Sequence, residues 1–239
     1  MNQPLHLDLA FQAPSFRNWL GYDPFGVELS HRIAEGAFFS ISTSLVSSFI
    51  SVGIAVCVSI LQVYSPTPVA SIFHKFVDGL LAFPGLLLAI LFAVLLPPSN
   101  LTVVSILTLT SWAGSSKIFH GILTKSLHDE YVEASQAFGA TKFWIFKTHL
   151  FKRLLPFVSL QFIFIFLGTL LAESSLSFLG LGSPLDSPSW GRLIAQGRQY
   201  LIEAPHLSVF PGISLILTLL SLQILGKYFQ NSRIFTKIR

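Results

Sequence analysis

The sequence predicts an all-α polytopic membrane protein with about five transmembrane helices. Three observations predict it. The 239-residue chain is 52% hydrophobic and only 11% charged, with mean hydropathy +0.67, whereas soluble domains are about a quarter charged. Uninterrupted apolar runs recur, several near the roughly 20 residues that match a hydrocarbon core about 30 Å thick. Lys and Arg crowd alternate connections, as in an oriented chain that crosses the bilayer repeatedly. A backbone in lipid must satisfy its own hydrogen bonds, so the runs are read as helices.

In chain order, residues 1–36 are expected to be an extracytoplasmic segment with an amphipathic stretch. "MNQPLHLDLAFQAPS" has no basic region followed by an apolar core, so no cleavable signal peptide is expected. The spans are expected at 37–63, 79–96, 101–116, 154–181 and 207–226, within a transmembrane domain 37–239. The third is short and rich in Ser and Thr. "LAFPGLLLA" places Pro84 in the second, where it removes a backbone hydrogen bond and kinks the helix. The lone Cys57, inside the first, is read as a small buried apolar residue.

The connection 117–153 holds Lys117, Lys125, Lys142, Lys147, Lys152 and Arg153. The 64–78 loop adds Lys75, and the tail adds Lys227, Arg233, Lys237 and Arg239. The other side holds only Arg17, Arg32, Arg192 and Arg198. The positive-inside bias puts the N-terminus outside and the C-terminus in the cytoplasm. With the cations placed this way, the net charge of +4 is no sign of nucleic-acid binding.

The small-residue runs "SISTSLVSS", "LTSWAGSS" and "SSLSFLGLG" have two readings: close helix packing or a partly hydrated pathway. Glu173, the one ionisable residue deep in an expected span, is read with Pro84 as a pathway or interface residue, with protonation or a structural hydrogen-bond group as the other readings of the carboxyl group.

The charged loop parses by its caps. Ser126 and Asp129 have capping-box spacing, so a helix is expected over 127–138. Gly139 stands where a left-handed residue closes a helix, and Thr141 caps a second helix through Phe151. The product is an L-shaped element with Tyr131 and Phe138 as aromatic anchors. By composition it reads as a solvated interfacial loop. However, the ordered string Glu133-Ala134-Ser135, then Gly139, then "RLLP" resembles the EAA loop of type I ABC-transporter permeases. "GYDPFGVELSHRIAEG" resembles the segment before the second helix of C-type subunits of dipeptide, oligopeptide and nickel importers; Gly21, Asp23, Gly26, Ser30, Arg32 and Gly36 match. "VDGLLAFPGLLLAI", "LAESSLSFLGLG", "PSWGRLIAQGRQYLIEAP" and "FPGISLILT" follow in the same order. Three departures stand out. About 20 residues precede Gly21 where such subunits have a further span, so the expected fold lacks the usual first helix, through truncation or a start codon placed too late. Lys152 replaces a proline after the loop, and "VYSPTPVASIFHKF" lacks a glycine pair.

The resemblance implies a membrane subunit of an ATP-driven importer of di- or oligopeptides in a bacterial inner membrane. Nickel, oligosaccharide or antimicrobial-peptide substrates stay open. It implies a heterodimer with a homologous permease, two cytoplasmic ABC ATPases and an extracytoplasmic solute-binding protein. Glu133, Ala134, Ser135, Gly139, Tyr131 and Phe138 would couple to the ATPases. Trp190, Arg192, Arg198 and Tyr200 would face the binding protein; by composition alone, Trp190 and Tyr200 read equally as an interfacial belt. No phosphate loop occurs, and no metal-ligand spacing recurs among the scattered His residues. No enzyme activity, metal or cofactor is therefore expected. A non-transporting scaffold or degenerate permease is the alternative. A secondary transporter, which would call for midplane ionisable groups and an internal repeat, is disfavoured.

Overall fold

The computed structural model describes residues 7–16, 18–182 and 187–231. Arg17, Arg233, Lys237 and Arg239, which entered the charge count, lie outside them. Among the described residues the secondary structure is helical apart from one isolated bridge, Tyr22 to Glu28. The helices are α1 (Leu29–Tyr64), α2 (Thr67–Leu81), α3 (Gly85–Leu95), α4 (Asn100–Ser111), α5 (Ala113–Leu127), α6 (Glu130–Ala137), α7 (Lys142–Ile145), α8 (Phe151–Phe178), α9 (Trp190–Gly197) and α10 (His206–Asn231). A π-helical turn, Phe146–Leu150, joins α7 to α8 without a break.

Three helices are long and apolar enough to cross a membrane: Leu29–Tyr64, Lys142–Phe178 and His206–Asn231. The first has 36 residues, about 54 Å at 1.5 Å per residue, so it outruns the hydrocarbon. It also starts eight residues before the expected position 37. The second expected span is a bent pair. The break at Pro84 turns α2 into α3 by 87°, far more than a kink, and leaves 11 apolar residues in α3. Counted as one span, the pair makes four. The third expected span is α4, which only Trp112 separates from α5. Helix α4 is apolar but only 12 residues long.

The chain divides into two compact units. One takes the chain up to Val46, Ala89–Leu107 and Thr169–Ser221. Its core joins Ala89 of α3, Val103, Ile106 and Leu107 of α4, and Leu176 of α8. The other takes Ser47–Leu88, Thr108–Gly168 and the chain from Leu222. Its core joins Ala55, Val77, Trp112, Phe119, Leu123, Val132, Ile145, Leu150 and Leu154. Every helix from α5 to α8 contributes to it, so the charged loop is packed against the unit rather than hanging from it.

The serines of α1 settle their two readings. Ser40, Thr43, Ser44, Ser47, Ser48 and Ser51 recur at helical spacing and are all buried. The Thr169 hydroxyl donates to the Ser44 carbonyl at 3.3 Å, and the Ser51 hydroxyl to the Thr108 carbonyl at 3.3 Å. This is packing within the chain. The stripe is therefore not left open for a second subunit. Phe38, Val46, Phe49 and Ile50 are exposed instead, as are Ile213, Ile216, Leu217, Leu220 and Ile224 of α10. Cys57, expected to be buried, is exposed too. In a membrane helix, lipid makes an outward-facing apolar residue as cheap as a buried one.

Candidate functional site

Two places concentrate the polar chemistry, one in each unit. The first is the L-shaped element. Its helix starts later than the sequence suggests. Ser126 belongs to α5, and its hydroxyl donates back to the Ile122 carbonyl at 2.8 Å. Asp129 is the N-cap of α6 without a side-chain cap bond, because its carboxylate is engaged elsewhere. The bend is as expected. Gly139 has φ +83°. The Gly139 N–H donates to the Gln136 carbonyl at 2.9 Å and the Ala140 N–H to the Ser135 carbonyl at 3.0 Å, the paired bonds of a Schellman turn. Thr141 then caps α7, its hydroxyl accepting from the Trp144 N–H at 3.3 Å.

One buried side chain and one polar staple hold α6 in place. Val132 is 0% exposed within the core. Arg153 pairs with Asp129 and also donates to the Tyr131 hydroxyl at 3.2 Å, while that hydroxyl donates to Asp129 at 3.1 Å. The His149 ring stands 5.2 Å from Tyr131 and 5.3 Å from Trp144. Neither Arg153 nor His149 was singled out from sequence. They sit on the second arm and lock it to the first, a relation no local pattern encodes. Tyr131, expected as an outward anchor, has its hydroxyl in this staple and stays half exposed. The outward face carries Glu133, Ala134 and, 93% exposed, Phe138, with Phe143 exposed beyond the bend. Lys152, at the family's proline position, is exposed in the first turn of α8.

His120, read as a surface residue, instead packs edge-on to His74 at 4.6 Å between ring centres. Burial first, and His74 second, hold it below the ordinary imidazole range. Among the described residues no group of three His, Cys, Asp or Glu is placed to hold a metal.

The second place surrounds Glu173. The signature segment opens on a tight turn just before α1. Asp23 accepts from the Phe25 and Val27 N–H groups at 2.8 and 2.9 Å, and Arg32 lies 3.4 Å from its other oxygen. Helix α9 is capped by Ser189, whose hydroxyl accepts from the Arg192 N–H at 3.3 Å. Trp190 is buried, its indole N–H donating to the Ile33 carbonyl at 3.1 Å and its backbone N–H to the Ser40 hydroxyl at 3.2 Å. It therefore anchors α9 to α1 and is neither an interfacial belt nor a contact surface. Arg198 is exposed over the Phe178 ring at 5.7 Å, a cation–π arrangement. Tyr200 packs on Phe11 at 4.8 Å. Beside them Asp23, Phe25, Gln196, Tyr200 and Leu207 line a cavity of about 160 Å³. Ile202, overlooked in the sequence, is 98% exposed just beyond.

Glu173 itself is 0% exposed. The Ser177 hydroxyl donates to it at 2.6 Å and that of Ser174 at 3.4 Å. The hydroxyls of Ser40 and Ser189 are also within its reach. The structural reading of this carboxyl group is the one the geometry supports.

The chain belongs to the family of binding-protein-dependent transport system inner membrane components, whose model matches residues 48–234. A Brucella suis protein that carries the name of a peptide transport system permease protein is 30% identical over 218 residues, 91% of this chain and 73% of that one. A glutathione transport system permease protein, GsiD, of Pectobacterium atrosepticum is 30% identical over 222 residues, 90% of this chain and 71% of that one. The inward-facing MetNI methionine ABC transporter contains a chain of the same fold, with TM-score 0.68 over 87% of this chain and 97% of that one, at 16% identity. The protein is thus a multi-pass inner-membrane component of a binding-protein-dependent transport system.

Proposed function

We propose that this chain is one of two homologous membrane subunits of a peptide importer, driven by two cytoplasmic ATPases that dock on the L-shaped element. The observation that carries this reading is the outward face of α6. A low-profile helix with Glu133, Ala134 and Ser135 ends at an apolar Phe138 that is 93% exposed beside Gly139 at φ +83°. An apolar anchor held in water by a rigid bend is the kind of feature a partner's groove covers. The names of the Brucella and Pectobacterium relatives support small peptides as substrates. Residues up to 36 and the α9 side lie outside the cell, and the loop at 117–153 and the C-terminus lie inside, supported by the Lys and Arg distribution. Arg192, Arg198 and Tyr200 face the binding protein, with Trp190 as the anchor behind them. The chain carries no phosphate loop, so ATP hydrolysis belongs to the partner subunits.

Affinity purification in mild detergent tests this. The wild-type chain should retain a second permease and two ATPases. Ala134→Arg should release the ATPases and keep the permease pair, because the docking face has no room for a long charged side chain. Retention of the ATPases at wild-type level by Ala134→Arg would overturn the docking assignment. A chain that purifies with no ATPase at all would favour the scaffold reading.

A further inference from the structure

Glu173 is costly where it stands: a fully buried carboxyl group destabilises a helix bundle unless its lone pairs are satisfied. Its oxygens have room for about four hydrogen bonds, and serine hydroxyls supply them from three elements. Ser174 and Ser177 come from α8 itself. Ser40 comes from α1, and Ser189 is the cap of α9. The last two are also acceptors. Ser40 takes the Trp190 N–H and Ser189 takes the Arg192 N–H, which leaves each hydroxyl its own proton to donate toward the carboxyl group. Two backbone N–H groups in the first turn of α9 are thereby tied, through one hydroxyl each, to a single side chain of α8. The seating leaves no slack: a Cβ at Gly191 would fall 2.0 Å from the Ser174 carbonyl oxygen, which is backbone. A Cβ at Gly36 of α1 would meet Leu193 and Trp190 of α9 at 3.3 Å.

We propose that Glu173 is a positioning residue that latches the first turn of α9 onto α8 and α1, so that engagement of the binding protein on α9 and Arg198–Tyr200 is passed to α8. The latch rests on the contacts around Glu173 and the close seating of α9; the transmitted engagement rests on the reading proposed above. Without the carboxyl group the Ser40 and Ser189 hydroxyls lose their common acceptor, and α9 is left with the Trp190–Ile33 bond and apolar packing.

Two measurements on the purified whole complex in nanodiscs test it. In a Cys57→Ser background, Leu193→Cys reports the seat of α9, because Leu193 is only 6% exposed. A maleimide should label it about tenfold faster when Glu173→Ala is added, the ratio expected for losing buried hydrogen bonds. Glu173→Gln, which keeps a carbonyl acceptor, should stay within about threefold of wild type. ATP hydrolysis is then followed against the concentration of the binding protein captured by the wild-type complex. With Glu173→Ala the half-saturating concentration should rise about tenfold while the maximal rate stays within about twofold. Unchanged labelling in Glu173→Ala would overturn the latch. A fall in maximal rate with no change in half-saturation would overturn the transmission. A wild-type complex that no binding protein stimulates would sink the functional reading and the transmission with it, while labelling still decides the latch. If Glu173→Ala does not accumulate, Glu173→Met, which fills the volume without a strong acceptor, decides between the same outcomes.

Discussion

The L-shaped element and the Glu173 cage are inversions of one another. Around α6 apolar groups face outward: Phe138 and Phe143 are exposed, and the helix keeps one buried apolar contact at Val132. Around Glu173 polar groups face inward: a carboxyl group and serines at 40, 174, 177 and 189 are all buried. The difference teaches where each structure gets its rigidity. In the cage, rigidity comes from saturated hydrogen bonds in a dry place, where an unmade bond costs about 1–3 kcal/mol. In the L-shaped element it comes from a backbone bend and a polar staple at the water boundary, where each bond contributes less. A surface meant to be covered cannot be stabilised by the contacts its partner will make, so its support has to come from behind.

That comparison breaks hardest at Val132. Val132→Asp places a carboxylate in an apolar core with no partner, at a cost of several kcal/mol. The α6 helix should detach, seen as rapid proteolysis between 127 and 142 and complete loss of ATPase co-purification. If α6 stays protected, its hold on the unit does not run through Val132. The next largest effect is expected for Gly139→Val. A β-branched residue at φ +83° costs roughly 1–2 kcal/mol or more, and re-aiming Phe138 should lower uptake about tenfold at unchanged membrane level. Wild-type uptake would mean that the bend is not what positions the docking face. Asp129→Ala is expected to be mildest. Its pair with Arg153 is about a quarter exposed, so screening limits the loss to about 1 kcal/mol or less. The effect should grow at low salt and fade at high salt. A salt-independent loss would show that the staple acts through the Tyr131 hydroxyl rather than through charge.

The bend at Gly139 was legible because a left-handed residue demands glycine and a cap demands a hydroxyl, and both rules act within a few residues. The string around Asp23 was legible as a resemblance; its side-chain bonds to the Phe25 and Val27 N–H groups are local, whereas the backbone bonds from Phe11 to Asp23 and from Tyr22 to Gln12 are not. The start of α6 was misplaced because Ser126 has two local options. Its hydroxyl bonds the preceding turn instead of capping the next helix, and the choice follows from α5 packing into the core. Pro84 announced a break but not its angle, since the direction after a break is set by what the two helices pack against.

By itself, the sequence determined that the chain is helical and membrane-embedded. Continuous apolar runs of this length satisfy their backbone in hydrocarbon as helices, and run length and Lys and Arg placement are linear quantities. It also determined the local turns at Gly139 and Thr141. The tertiary structure alone decided which polar residues meet. Ser40, Glu173 and Ser189 are far apart in the chain, as are Asp129 and Arg153, and hydrogen bonds and ion pairs depend on distances of a few ångströms that only packing sets. Tertiary packing likewise decided that Trp190 faces inward and Phe138 outward. Both are large aromatics in polar connections, and burial is a property of the surroundings rather than of the residue.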